Sequence, residues 1–439
     1  MKRNDILRKL GVDVLSEMQN RSYDLIRQGK KDIVILSPTG TGKTIAYLLP
    51  LLEMLDAESE QIQAVVIVPS RELAIQSCDV MKRSGCGLRG FACYGGRSAM
   101  EEHQAMRKVL PHIIFATPGR LNDHLDKDNI NGRQVKYLVI DEFDKCLEMG
   151  FADEMTAVIE KLPAINQRIL LSATNSEKIP DFVNMQITAY LDFLTKESAV
   201  SERVSTFKVY SSEKDKLATL ASLLRTFGSN SSIVFLNYRE SVERVNDYLR
   251  ECGFVTSAYH GGFEQKDREM ALYKFSNGSA NVLVSTDLAS RGLDIPFVEN
   301  IIHYHLPETE DAYIHRVGRT ARWNASGNAF FILGPTEKMP EYITDDVDEY
   351  AMPESLPPVS LPTKATLYIG RGKQSKISKG DIVGFLCKKA GLKASDIGRI
   401  DVMDRYSYAA ISRTKLDMVI RMANGEKIKG IKTVIEQIL

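Results

Sequence analysis

The stretch DIVILSPTGTGKTIAYLLPLLEML, residues 32–55, joins a five-residue apolar run to a glycine-rich turn and then to an apolar segment with helical spacing. A short, near-continuous apolar run suits a strand buried on both faces of a parallel sheet. In SPTGTGKT (37–44) the glycines allow backbone N–H groups to approach phosphate oxygens, Lys43 has the reach for β- and γ-phosphates, and Thr44 offers a hydroxyl to magnesium. The helix amino end adds a favourable dipole. Ser37 stands where the usual phosphate-loop pattern has glycine. A chance Gly-Thr turn is the competing reading, and the strand-loop-helix context weighs against it.

Outward from this stretch the rhythm repeats. AVVIV (64–68), HIIFA (112–116), YLVI (137–140) and RILLS (168–172) read as further buried strands. After about residue 205 it restarts with SIVFL (232–236), FVTSAY (254–259), NVLVS (281–285), NIIHY (300–304) and AFFIL (329–333), alternating with helices such as KDKLATLASLLRTF (214–227). Two successive α/β units imply two doubly wound parallel-sheet domains with ligands at the carboxyl ends of their strands.

A second stretch, VIDEFDKCLEMGF (139–151), places three acids directly after a strand. Asp141 stands where a carboxylate reaches magnesium held by a phosphate loop, and Glu142 beside it suits a base that orients and deprotonates water. Alone, the segment would be a helix amino end with favourable acids. Paired with SPTGTGKT, the catalytic reading prevails.

Composition sets the frame. The 439 residues are 44% hydrophobic, enough for about three domains of roughly 150 residues. MKRNDILRKLG at the start lacks a signal-like apolar segment, and AYLLPLLEML is interrupted by Pro50 and Glu53, so neither export nor membrane anchoring is expected. Six cysteines form no C-x-x-C pair, which favours a reducing cytoplasm over a zinc site or disulfide framework. The net charge of zero hides an asymmetry: from Lys364 onward 16 Lys and Arg face 7 Asp and Glu, a surplus of nine. That end suits a polyanion. Before it, EKMPEYITDDVDEYAMPESLPPVSLP (337–362) reads as a boundary helix running into an extended linker.

The motifs occur in a distinctive order: SPTGTGKT (37–44), PSREL (69–73), YGG (94–96), TPGR (117–120), DEFD (141–144), SAT (172–174), VFLN (234–237), HGGFEQKDR (260–268), STDLASRGLDI (285–295) and YIHRVGRTAR (313–322). In this the chain resembles the DEAD-box RNA helicases across nearly all of its first 335 residues. The resemblance implies two tandem RecA-like domains, 1–200 and 201–336, with ATP and Mg2+ as cofactors. It implies that Ser37, Pro38, Thr39, Gly40, Thr41, Gly42, Lys43 and Thr44 cradle the triphosphate, that Thr44 and Asp141 hold the metal partly through water, and that Glu142 serves as base. Asp294 becomes a ribose contact, and Arg319 and Arg322 become arginine fingers, a task suited to permanently charged guanidinium groups. Asp144, Ser172, Thr174 and His315 would couple hydrolysis to RNA. RNA itself would be held by Arg71, Gly95, Gly96, Thr117, Gly119 and Arg120 in the first domain and by Gln265, Arg268 and Thr286 in the second. Such polar and glycine-rich loops suit sugars and phosphates better than base edges.

Two departures stand out. Gln19 matches the family's adenine-reading glutamine, but the chain begins too close to it for the upstream aromatic partner, so looser adenine selectivity is expected. Phe143 replaces the family's alanine. It removes no charge and adds volume. Of HRVGRTAR alone, an exposed basic helix would be the plainer reading of His315 and Arg316.

The basic end reads separately. TLYIG (366–370), GDIVGFLCKKA (380–390), IGRIDVMD (397–404), YSYAAI (406–411), RTKLDMVIRMAN (413–424) and KIKGIKTVIEQI (427–438) follow a βαββαβ order, the ferredoxin-like plan of RNA-recognition motifs. With 337–362 as linker, residues 363–439 resemble the C-terminal domain of the DbpA-like group, which implies binding to a hairpin of large-subunit ribosomal RNA. Lys373, Lys376 and Lys379 crowd one loop, Arg399, Arg405, Lys427 and Lys429 extend the charge, and Tyr406 and Tyr408 have the spacing to share a strand face, where they either stack on bases or serve the fold, since the aromatic-rich signature of an RNA-recognition motif is incomplete here. The expectation is a monomeric cytoplasmic RNA helicase acting on pre-ribosomal particles. The alternatives are an ATP-gated RNA clamp inactivated by Phe143 and a plain RNA-binding protein with a degenerate core.

Overall fold

Seven strands form the first sheet: β1 (Asp32–Leu36), β2 (Ala64–Ile67), β3 (Gly90–Cys93), β4 (Ile113–Ala116), β5 (Tyr137–Ile140), β6 (Gln167–Ser172) and β7 (Thr188–Asp192). All pair in parallel, in the order β3-β4-β2-β5-β6-β1-β7. The computed structural model describes residues 3–29, 31–38, 40–96, 98–174, 179–194, 204–290, 298–320, 326–343 and 347–438. These divide into two compact units, 3–194 and 204–438. In β1 successive side chains serve opposite cores, Ile33 and Ile35 on one face of the sheet and Val34 and Leu36 on the other, which is why the strand is apolar throughout. The order sets β5, β6 and β1 side by side, with Leu36 opposite Ser172 and Ile140 opposite Leu170. Loops carrying SPTGTGKT, DEFD and SAT therefore leave adjacent strands at one edge.

The second unit holds another parallel sheet of β8 (Val204–Tyr210), β9 (Ser232–Phe235), β10 (Thr256–Tyr259), β11 (Val282–Ser285), β12 (Asn300–His303), β13 (Gly327–Leu333) and β14 (Asp348–Glu349), ordered β10-β11-β9-β12-β13-β8-β14. Strand β14 corrects the reading of 337–362, whose described residues contain no helix. The segment is instead bound along this domain. Tyr350 packs edge-on against Phe330 and Phe207, and Arg225 donates to the Leu356 and Pro357 carbonyls at 3.0 and 2.6 Å.

The same unit contains a four-stranded antiparallel sheet of β15 (Lys364–Ile369), β16 (Ile397–Val402), β17 (Ser407–Ser412) and β20 (Ile435–Gln437), ordered β16-β17-β15-β20. The segment 427–438 is not one strand: β18 (Lys427–Ile428) and β19 (Ile431–Lys432) pair as a separate hairpin before β20. Helices Lys379–Ala390 and Leu416–Ala423 share one core with Leu367, Ile369, Ala409 and Ile411. On the opposite face, Thr366 bonds Asn277 and Ser279, Tyr408 lies 5.0 Å from the Tyr273 ring, and Tyr273 Oη donates to the Arg399 carbonyl at 2.9 Å. The tail sheet is thus docked on the helix Gln265–Ser276.

Two histidines give this unit a pH dependence. His303 is fully buried, and burial drives its pKa well below the usual value. Burial, reinforced by Lys216 and Arg316 and only partly opposed by Glu337, pushes His305 down to about 4, and its neutral Nδ1 accepts from the Asn237 N–H at 3.1 Å. Between pH about 6.5 and 4 the unfolded chain binds the proton and the fold does not, so stability is intact above this window and is lost on acidification. The urea midpoint is expected to fall between pH 7 and 5. His305→Gln, which keeps an acceptor, should flatten that dependence, and an unchanged slope would place the acid sensitivity elsewhere.

Candidate functional site

At the carboxyl end of β1, Gly42 caps the helix Lys43–Met54 in the left-handed region at φ 83°. A Cβ there would lie 2.4 Å from Gln19 Nε2, the movable end of a side chain, so it is the positive φ that requires glycine. Lys43 Nζ donates to the Ser37 and Pro38 carbonyls at 2.7 and 3.1 Å, and the Ser37 and Thr41 hydroxyls are 2.8 Å apart. Gln19 accepts from the Ser16 N–H at 2.9 Å through Oε1 and donates to the Gly42 carbonyl at 3.2 Å through Nε2. The glutamine thus lies against the phosphate loop. To engage a nucleotide, Lys43 must leave the loop's own carbonyls.

Following β5, Asp141, Glu142 and Asp144 are all buried. Glu142 has φ 51° and ψ 52°, a left-handed backbone rare outside glycine and typical of strained functional positions. The turn aims three consecutive side chains differently: Phe143 enters the core shared by Ile140, Cys146, Leu170 and Val183, while the flanking acids stay at the sheet edge. Burial, then the adjacent Glu142, raises the Asp141 pKa to about 7, against the opposing pull of Lys43. Around this carboxyl the two neighbouring acids, Glu142 and Asp144, outnumber the one ammonium of Lys43, an imbalance that a divalent cation would remedy. Thr174 Oγ1 donates to Asp144 at 3.2 Å, and Ser172 Oγ donates to the Thr174 carbonyl at 2.7 Å, so DEFD and SAT are joined directly.

Sequence reasoning missed Tyr47. Its ring is fully buried, and burial together with the nearby Asp141 carboxyl pushes the phenol pKa well up, with Ser77 and Thr44 as polar neighbours. The available signal was spacing, because Tyr47 follows Thr44 by three and shares its helix face.

The RNA loops predicted for this domain adjoin one another. The Arg71 guanidinium lies against Gly95 and Gly96. Thr117 precedes the helix Pro118–Asp126, with Gly119 exposed. Arg120 donates to Glu102 at 3.1 Å, and Glu102 also bonds His124 at 2.9 Å and the Tyr94 N–H at 3.2 Å. Glu102 thereby fastens YGG to TPGR, a role invisible from local sequence. Cys93, Glu102 and His124 have ligand atoms within 4.8 Å of one another, but the Arg120 cation already serves that carboxylate.

Three family descriptions match the chain in succession: DEAD/DEAH box helicase over residues 16–182, helicase conserved C-terminal domain over 215–324, and DbpA RNA binding domain over 366–437. It is 35% identical over 433 residues to the ATP-dependent RNA helicase DbpA of Escherichia coli (strain K12), spanning 97% of this chain and 94% of that protein. The chain belongs to the DbpA-type DEAD-box RNA helicases. It is an RNA-dependent ATPase with an RNA-binding domain. The helicase is also 31% identical to the DbpA of Bacillus subtilis (strain 168), over 91% of this chain and 90% of that one. Its fold resembles Mss116p bound to ssRNA and AMP-PNP, with TM-score 0.69 and 27% identity over 76% and 72% of the two chains. It also resembles S. cerevisiae Dbp5 bound to RNA and ADP BeF3, with TM-score 0.67 and 27% identity over 75% and 87%. Among the helicase's described residues no helix is long and apolar enough to cross a membrane.

In the helicase's second unit, His315 and Arg316 are fully buried, correcting the picture of an exposed basic helix. Arg316 grips Asp287 through two nitrogens at 2.5 and 3.1 Å and donates to Asn237 Oδ1 and the His305 carbonyl, each at 2.8 Å. A fixed guanidinium fork thereby ties STD to VFLN. Arg319 is also buried. Arg268 donates to Gln265 Oε1 at 2.6 Å, bringing those two predicted RNA residues together, and the Thr286 N–H meets the Tyr259 carbonyl at 3.3 Å. Thr39, Asp294 and Arg322 lie outside the described residues.

In the tail, Gly372 lets the lysine loop touch the turn after β16, since a Cβ there would lie 2.2 Å from the Met403 carbonyl. Lys373 and Lys376 are exposed and, among the described residues, form no ion pair. The rest of the expected basic patch is partly neutralised: Lys429 pairs with Asp381 at 2.8 Å, and Arg399 pairs with Asp401 at 2.8 Å while bonding Ser276. Tyr408 is 2% exposed and packed on Tyr273, which removes it as a base-stacking platform. Tyr406 remains half-buried, 5.1 Å from Tyr408.

Proposed function

We propose that this helicase remodels large-subunit ribosomal RNA in pre-ribosomal particles, as a cytoplasmic monomer, with the tail selecting a hairpin. The observation that carries this reading is the match of residues 366–437 to the DbpA RNA binding domain, combined with the exposed Lys373 and Lys376 in that region, which form no ion pair among the described residues. In the catalytic reading Thr44 and Asp141 would hold Mg2+, which would supply charge neutralisation at the phosphoryl group. Lys43 and the backbone N–H groups of Thr39, Gly40, Thr41 and Gly42 bind phosphates, with Ser37 and Pro38 shaping the loop that holds them, while Gln19 reads adenine and Asp294 the ribose. Glu142 takes the proton of the attacking water, and Arg319 and Arg322 stabilise developing charge. The link from Asp144 to Thr174 and Ser172, with His315, is assigned to coupling. Arg71, Gly95, Gly96, Thr117, Gly119, Arg120, Gln265, Arg268 and Thr286 are assigned to the RNA backbone.

The test compares the full chain on a large-subunit hairpin and on an unrelated hairpin of equal length, at matched salt. RNA-stimulated ATPase should reach half-maximum at a lower concentration of the ribosomal hairpin. Changing both Lys373 and Lys376 to Glu should weaken both RNAs and flatten the salt dependence, because those side chains no longer release counterions from phosphates. Equal half-saturation by the two hairpins would leave a general RNA helicase and remove the ribosomal assignment.

A further inference from the structure

Where the tail sheet docks on the second helicase domain, a cavity of about 260 Å³ is lined by Arg250, Lys274 and Arg413, with Thr366, Ser279 and Gln437 as polar neighbours and, among the described residues, no carboxylate. Lys274 is only 8% exposed and, among the described residues, its ammonium has neither hydrogen bond nor ion pair. Burying an ammonium without a counter-anion is costly. Burial and the charges of Arg250 and Arg413 accordingly push the Lys274 pKa down to about 8. Arg413 is held in place rather than neutralised: it donates to the Pro362 carbonyl at 2.6 Å and to the Ser279 carbonyl at 3.1 Å. Arg250 is exposed at the cavity's rim and likewise unpaired among the described residues. Three cations converge on one recess, two from the helicase domain and one from the tail.

We propose that this recess is a phosphate-binding site, filled by a backbone phosphate of the bound RNA, so that RNA itself bridges the second helicase domain and the tail. The source is RNA rather than free phosphate because both walls belong to an RNA helicase and the exposed Arg250 opens the recess to the surface. The inference rests on the RNA-binding activity of the chain and is independent of which hairpin the tail prefers. A phosphate supplies the missing negative charge to Lys274 and accepts from guanidinium and hydroxyl donors at once. Because it reads only the backbone, it contributes affinity without sequence preference.

The test uses the full chain, Lys274→Met, which keeps length and apolar bulk, and Arg250→Gln at the exposed rim. In phosphate-free buffer Lys274→Met should match or exceed the parent's thermal midpoint, since a desolvated charge is removed. A lysine that merely supports the fold would give the opposite. RNA affinity should fall by about three- to tenfold in each variant, equally for related and unrelated hairpins, with the slope of log affinity against log salt reduced by about one. ATPase at saturating RNA should be unchanged. Inorganic pyrophosphate, which the phosphate loop of both proteins can also hold, should raise the thermal midpoint of the parent by more than that of Lys274→Met. Weaker protection of Lys274→Met with unaltered RNA affinity would overturn RNA as the source. Unaltered RNA affinity, salt slope and pyrophosphate protection in both variants would overturn the site itself. A change in the preference between hairpins, with the salt slope intact, would overturn the backbone-only reading.

Discussion

Glu142→Gln is expected to lower RNA-stimulated ATP turnover by about 10²–10⁴-fold, the range for loss of a general base, while ATP-dependent RNA binding persists. The amide keeps the shape of the side chain and the left-handed turn at φ 51°, and it leaves Asp141 and Lys43 in place. Lys43→Ala should behave differently. It removes the ammonium now held by the Ser37 and Pro38 carbonyls, so nucleotide affinity falls together with turnover. Single-turnover hydrolysis and nucleotide-dependent RNA binding separate the two variants. Parental hydrolysis by Glu142→Gln would remove Glu142 as the base.

Phe143→Ala is expected to cost about 3–5 kcal/mol of stability in the first unit, the range for deleting a phenyl ring from a packed core, because the ring is 1% exposed among Ile140, Cys146, Leu170 and Val183. Denaturant unfolding measures the loss. ATPase of the surviving folded protein should remain RNA-stimulated, since Asp141, Glu142 and Asp144 keep their sheet-edge positions. A parent protein that hydrolyses ATP only after Phe143 becomes Ala would instead establish the clamp reading.

The central strands were legible because burial on both faces demands continuous apolar runs: DIVIL and YLVI coincide with β1 and β5. Strands β3, β7, β8 and β14 were not legible. The first is four residues at a sheet edge, the last only two, and β7 and β8 carry exposed residues that break the apolar run. Tertiary pairing overrides weak local preference at such positions. The phosphate loop and DEFD announced their chemistry by residue type and spacing. Tyr47 and Glu102 did not, since a tyrosine in an apolar helix and a glutamate in AMEEHQAMRKV look ordinary until their partners from distant segments are known.

From the sequence alone follow the order of the motifs, the two α/β repeats and the basic βαββαβ tail, because side-chain period, glycine placement and charge are local properties of the chain. Only the tertiary structure decided that β5, β6 and β1 lie adjacent, that the proline-rich segment is bound along the second domain, and that Tyr408 faces Tyr273. The last of these also places Arg413 beside Lys274. The physical reason is shared: each depends on which distant surfaces exclude water together, and that free energy is a property of the packed pair, which neither segment carries in its own residue pattern.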